Sequence, residues 1–277
     1  MEILSKTGRI FYSIAMLGIG LVALYYHHLP YMLLPPMHLG PTVLLILAYF
    51  FGGVFFLAGA AMLFQIRTGL ISFLFGGLIL LIVCLWYIPY EVATHFHFKD
   101  FGEWENAEKD LSLSGGALVI AGYFAGKNET VIRNFLPKLI RIGAVFFAIP
   151  IICFGTYHFL YPNDVSTMVP LWIPQPIFWT YFAGTALIGS GIAIIFKIRH
   201  GVFAALLGLM IFIWFMSIHL PAIFTSPHAY LKGEITSACL ALAYSGAAFV
   251  IAGTFSRAGS LRASSWAGHG DDSGRFR

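Results

Sequence analysis

Residues 49–69 read YFFGGVFFLAGAAMLFQIRTG, and residues 181–201 read YFAGTALIGSGIAIIFKIRHG. Set 132 positions apart, they share Tyr49 with Tyr181, Gly52 with Gly184, Gly59 with Gly191, Ile66-Arg67 with Ile198-Arg199 and Gly69 with Gly201. Each is an apolar run that ends at a basic residue, the form of a helix leaving a bilayer. The same offset holds further out. Arg9-Ile10 falls on Arg141-Ile142, Tyr25 on Tyr157, Pro30 on Pro162, Gly76 on Gly208 and Pro89 on Pro221. After one deletion the offset is 131, pairing Gly102-Glu103 with Gly233-Glu234, Ser114-Gly115 with Ser245-Gly246, and Ile120-Ala121-Gly122 with Ile251-Ala252-Gly253. A register sustained over so much chain reads as an internal duplication.

Composition places the duplicated unit in lipid. Of 277 residues, 59% are apolar and 10% charged, with a mean hydropathy of +0.83. A soluble chain carries about 25% charged residues, and one this apolar could not hide its surface from water. Eight runs are expected to span: 10–28, 41–64, 69–89, 110–126, 140–161, 175–196, 201–221 and 235–255. The expected fold class is an all-α membrane protein of eight transmembrane helices. They form two parallel four-helix repeats with pseudo-twofold symmetry along the membrane normal, since four is even and each copy enters the same way round. The units are 1–126 and 139–255, joined by a cytoplasmic linker at 127–138 and followed by a disordered cytoplasmic tail at 256–277. No small-residue cleavage site follows the first apolar run, which is read as a retained span.

All but three of the 16 basic residues fall on one side of this arrangement; the exceptions are Lys99, Lys109 and Lys232. By the positive-inside rule both termini are cytoplasmic, and the expected location is the inner (plasma) membrane. The chain lacks a dinucleotide fingerprint, a Walker loop, a G-x-S-x-G elbow and an HExxH motif, so nothing points to a nucleotide-driven or hydrolytic enzyme. The basic residues mark topology and do not form a patch for nucleic acid. Cys84, Cys153 and Cys239 lie singly in apolar runs, which argues against a thiol relay.

The second copy carries Gly155-Thr-Tyr-His158-Phe at the end of a first helix, then Trp172-Ile-Pro174. Phe178-Trp-Thr-Tyr181-Phe-Ala-Gly184 opens the next helix, Gly189-Ser-Gly191 follows, and His219-Leu-Pro221 closes a third. In the first copy, Lys109-Asp110-Leu-Ser-Leu-Ser-Gly115-Gly116 opens a fourth helix. In these motifs each unit resembles a DoxX-like four-helix membrane domain. The first copy departs from the pattern, with Tyr26 at the place of His158 and Tyr87 at that of His219. The resemblance implies a membrane component of a quinone-linked redox system, accessory rather than catalytic by itself. A quinone is its implied ligand, and its implied partners are the lipid bilayer and a redox partner protein. A transporter with a path between the halves, or a membrane scaffold or chaperone, is the alternative.

Ionisable groups inside spans are expensive and mark function. His158, His219 and Glu234 come from three helices of one unit and are expected to converge as ligand or proton sites, with Tyr26, Tyr87 and Glu103 as their counterparts. Such a set suits a metal, a quinone carbonyl or a proton relay. Equally, each His can satisfy a backbone carbonyl, and each Glu can sit before a helix N-terminus. His95 and His97 form a weak metal candidate on a loop. The run Asp100 to Asp110 reads most simply as a solvated entry to the fourth helix.

Overall fold

A computed structural model describes residues 1–35, 39–94, 103–126 and 130–267, without the side chains of 130–134, 136 and 255–267. The described residues are helices and their connections, with no strand among them. In chain order the helices are α1 (Glu2–Tyr26), α2 (Pro41–Leu63), α3 (Thr68–Ile82), α4 (Ile88–Thr94), α5 (Glu105–Phe124), α6 (Thr130–Leu160), α7 (Pro162–Ser166), α8 (Pro176–Ile195), α9 (His200–Trp214), α10 (Leu220–Thr225) and α11 (Leu231–Ala267).

Helix boundaries follow backbone chemistry. Pro41 and Pro176 open α2 and α8, where a missing N–H costs nothing because the first turn leaves its donors unpaired. The α2–α3 connection turns on Gln65 and Arg67 in the left-handed region, at φ 60° and 45°. The α8–α9 connection turns on Lys197 and Arg199, at φ 58° and 41°. The third helix of each half is broken by a π-helical turn, Val83–Tyr87 between α3 and α4 and Phe215–His219 between α9 and α10. Ile88 donates back five residues to Val83, and Leu220 to Phe215. Pro89 and Pro221 follow at once and cannot donate, so the ladder slips by one residue there.

α5 and α11 form the centre and pack against each other. α1 lies on α11 and α2, α6 on α5 and α8, α3 on α5, and α9 on α11. These contacts are glycine-tight. A Cβ on Gly8 would stand 2.4 Å from the Gly246 carbonyl oxygen, and one on Gly143 would stand 2.6 Å from that of Gly115. Ser114 donates to the Gly76 carbonyl at 2.8 Å, and Ser245 to that of Gly208 at 2.8 Å. Around this centre the outward residues are bare and apolar: Leu57 is 67% exposed, Leu74 56% and Leu206 57%. Among the described residues, seven helices are long and apolar enough to cross a membrane.

Four expectations change. The fourth run, within α5, is not one of the seven, because Glu105, Glu108, Lys109 and Asp110 fall in its first two turns. The helix tolerates them because it meets other helices on nearly every side rather than lipid. α6 begins at Thr130, inside the expected linker, and α11 runs on to Ala267, past the expected end at 255. Both extensions prolong helices already nucleated, where each added residue needs little. Residues 268–277 of the expected tail lie outside the described residues. Finally, the first helices match at an offset of 135 rather than 132. Ala23 meets the face of Gly52, and His158 meets that of Gly184. Ala23, not Tyr26, therefore stands at the place of His158.

Candidate functional site

The first two turns of α5 carry the polar groups of the core. Glu105 is exposed and pairs with Lys109 at 2.8 Å, one turn on. Glu108 is 8% exposed. Tyr157 of α6 donates its phenol to Glu108 Oε2 at 2.8 Å, and the thiol of Cys153, one turn earlier on α6, also bonds this carboxyl. A carboxyl, a phenol and a thiol thus form a closed hydrogen-bonded set between two helices.

Asp110 differs. It is fully buried, and neither carboxyl oxygen meets a hydrogen-bond donor among the described residues. Three tyrosines lie within electrostatic reach: Tyr12 of α1, Tyr87 of the π-helical turn and Tyr244 of α11. None donates to Asp110. Tyr12 bonds the Leu113 carbonyl at 2.6 Å, Tyr87 that of Met32 at 2.5 Å and Tyr244 that of Lys109 at 3.3 Å. A phenol has one proton to give, and all three are committed to backbone oxygens. Lys109, next in sequence, sends its ammonium to Glu105, to Asn106 Oδ1 at 3.3 Å and over the Tyr31 ring at 5.2 Å. A bare carboxylate in such surroundings costs several kcal/mol even after relaxation. It is stable there once its charge is cancelled, and a proton is the smallest agent that does so. Glu91 of α4, 3% exposed, adds a third buried acid at this end of the bundle.

The run Asp100 to Asp110 is therefore not simply a solvated entry. Its last members face the core, since α3, α6 and α11 surround α5. A signal for this exists in the sequence. The 131 offset sets Glu108 on Cys239 and Asp110 on Ala241, both inside an apolar run. A position filled by Cys or Ala in one copy is an interior position in the other.

The expected residues are placed as follows. His158 is half-buried on α6; its Nδ1 lies 2.7 Å from the Phe154 carbonyl, so that nitrogen holds the proton and donates it. Its ring stacks on Trp214, with centroids 6.2 Å apart and planes 19° apart. His219 closes the π-helical turn before α10, and Glu234 sits half-buried in the first turn of α11. No three His, Cys, Asp or Glu side chains among the described residues come together as a metal site. His158 itself is held by its own helix and by Trp214. Tyr87 is buried and bonds Met32, whereas Tyr26 is half-buried against Tyr25 and Glu103 is exposed just before α5. His95, His97 and His38 lie outside the described residues.

Two clefts flank the segment His28–Tyr31, which follows α1. One, of about 210 Å³, is bordered by Val22, His28, Tyr31, Tyr230, Lys232 and Thr236. The other, of about 220 Å³, is bordered by His27, His28, Tyr31, Leu34 and Leu44. Tyr31 belongs to both. Its hydroxyl lies 3.1 Å from Ser237 Oγ of α11, and its ring lies under Lys109. No family model matches this chain, and neither a curated protein nor a solved structure shows significant similarity to it.

Proposed function

We propose that this chain is a duplicated, eight-span membrane protein that handles protons as the membrane component of a quinone-linked redox system, with Glu108 and Asp110 as its working acids. The observation that carries the reading is the burial of two carboxyl groups in the helix at the centre of an apolar bundle, one without any donor among the described residues. Ionisable groups kept at such expense inside membrane proteins serve ion pathways or proton relays. α5 is taken as the eighth span. Its twenty residues suffice in length, and its acids face protein. The paired π-helical turns, the paired left-handed connections and the Ser114 and Ser245 bonds all support two parallel four-helix units. The DoxX-like motifs supply the redox setting. Quinone reduction consumes protons together with electrons, and an acid pair beside a quinone would deliver them. His158, with its Nδ1 proton committed, offers Nε2 as a further acceptor.

A transporter would need polar groups through the full depth of the bundle. The far end offers Arg9 instead, whose guanidinium bonds the closing carbonyls of α2. The test is native mass spectrometry of the protein extracted with its own lipids, alongside Asp110→Asn. Wild-type protein is expected to carry a quinone, and the variant at least tenfold less. Lipid or a bound protein alone would overturn the redox reading. Equal quinone in the variant would overturn the assignment of the acids.

A further inference from the structure

We propose that the cleft bordered by Val22, His28, Tyr31, Tyr230, Lys232 and Thr236 is the aqueous mouth of the Asp110 site, and that Tyr31 is its closure. This rests on the proton reading above and adds the route and the side from which the proton comes. The route is built from contacts. Tyr31 is 39% exposed, so part of it meets the cleft and the rest is covered. Its ring lies under the ammonium of Lys109, the residue before Asp110, at 5.2 Å. Its hydroxyl is tied to Ser237 of α11, one helix across. Behind Lys109 stands Tyr244, bonded to the Lys109 carbonyl and within reach of Asp110. A proton entering at the cleft passes the Tyr31 ring and the Lys109 backbone and then meets the fully buried carboxyl.

The groups that face Asp110 are Tyr12 from α1, Tyr87 from the π-helical turn, Tyr244 from α11 and Lys109 from its own helix. None of these four is a carboxylate; the next acids are Glu108 on the same helix, Glu105 paired with Lys109, and Glu91, within reach of Tyr87. Among the described residues, the polar contacts of the Tyr31 side chain are the hydroxyl contact to Ser237 and the cation–π contact under Lys109.

The test is cysteine accessibility in the full-length protein in nanodiscs. Cys84, Cys153 and Cys239 are first replaced by Ala; Asp110→Cys or, as control, Ala241→Cys is then added. A small water-soluble methanethiosulfonate is applied and the adduct followed by intact mass. The thiol from Asp110→Cys is expected to react slowly with Tyr31 present and at least tenfold faster with Tyr31→Ala. Tyr31→Phe, which keeps the ring over Lys109 and loses the Ser237 contact, is expected to fall between. The Ala241→Cys thiol should not respond to either change. The proposal is overturned if Tyr31→Ala leaves the rate at position 110 within twofold, or if the control rises in parallel, which would mean general loosening. The assay contains no quinone and does not involve the Asp110 carboxyl. Its failure removes the route and leaves the proton reading to its own test.

Discussion

Two buried acids two residues apart should respond oppositely to removal. Glu108 is a hydrogen-bonded member of the structure: Tyr157 donates to it at 2.8 Å and Cys153 bonds it as well. Glu108→Ala removes the carboxylate that accepts from that buried phenol. Losing this hydrogen bond should cost about 1–3 kcal/mol. Glu108→Gln keeps an acceptor oxygen and should cost less than about 1 kcal/mol, near the mean for polar contacts between membrane helices. Asp110 contributes no hydrogen bond from its oxygens among the described residues. Asp110→Leu removes a group whose burial opposes folding and puts apolar volume in its place. It should therefore raise stability by about 1–3 kcal/mol, the penalty of the unsatisfied group it deletes. The assay is equilibrium unfolding in mixed dodecyl-maltoside and SDS micelles, followed by far-ultraviolet circular dichroism. Asp110→Leu should unfold at a higher SDS fraction than wild type, and Glu108→Ala at a lower one. If Asp110→Leu is destabilising by about 1 kcal/mol or more on the scale of Glu108→Ala, Asp110 holds the fold together, and the case for a working acid there fails. A gain in stability together with loss of any quinone that copurifies with the wild type is the signature of a group kept for function.

The glycine seams give a second expectation: Gly115→Ala puts a methyl 2.4 Å from the Phe147 nitrogen, and Gly246→Ala puts one 2.5 Å from the Gly8 carbonyl oxygen. Backbone cannot yield there, so each should cost about 1–3 kcal/mol in the same unfolding assay. Gly53→Ala and Gly77→Ala, with open space around the added carbon, should instead stabilise by about 0.5–1 kcal/mol. Arg9 supplies a third. Its guanidinium bonds the Met62 and Leu63 carbonyls, so Arg9→Met should lower stability by about 1.5–3 kcal/mol and speed protease cleavage at the α2–α3 connection. Unchanged cleavage there would show that Arg9 does not secure the end of α2.

The breaks in the chain were legible because they rest on local chemistry. Pro41, Pro176, Pro89 and Pro221 act through a missing N–H, whatever surrounds them. The 132 offset was legible through α2, α3, α8 and α9, whose connections match residue for residue down to the left-handed pairs Gln65–Arg67 and Lys197–Arg199. It misled in the first helices, and periodicity explains why. Three residues turn a helix by about 300°, close to a full turn, so an apolar face looks much the same at 132 and at 135. Only the close contacts separate the two, pairing Gly8 with Gly143 and Gly20 with Gly155. The burial of α5 was illegible for a different reason. Hydropathy measures fitness for lipid, and α5 faces protein, where a charge is judged by its neighbours rather than by its composition. The same blindness hid the site. Glu108 and Asp110 look solvated from their own sequence and look buried only from that of Cys239 and Ala241.

That comparison also bears on why, under the proposed duplication, only one of the two sequences carries the acid pair. At the corresponding places in the other half stand Cys239 for Glu108, Ala241 for Asp110 and, at the offset of the first helices, Gly18 for Cys153 and Val22 for Tyr157. This side is shut: the Cys239 sulfur lies 2.5 Å from where a Gly18 side chain would begin. α5 and α11 pack against each other, so further acids on α11 would add like charge to the same apolar bundle. In a low-dielectric interior such repulsion is weakly screened and would hold part of the set uncharged. With Cys239 and Ala241 on α11, Glu108 and Asp110 have no acid at the corresponding places of that helix. On the proposed reading, the difference between the two sequences at these four positions is where the acid pair arises.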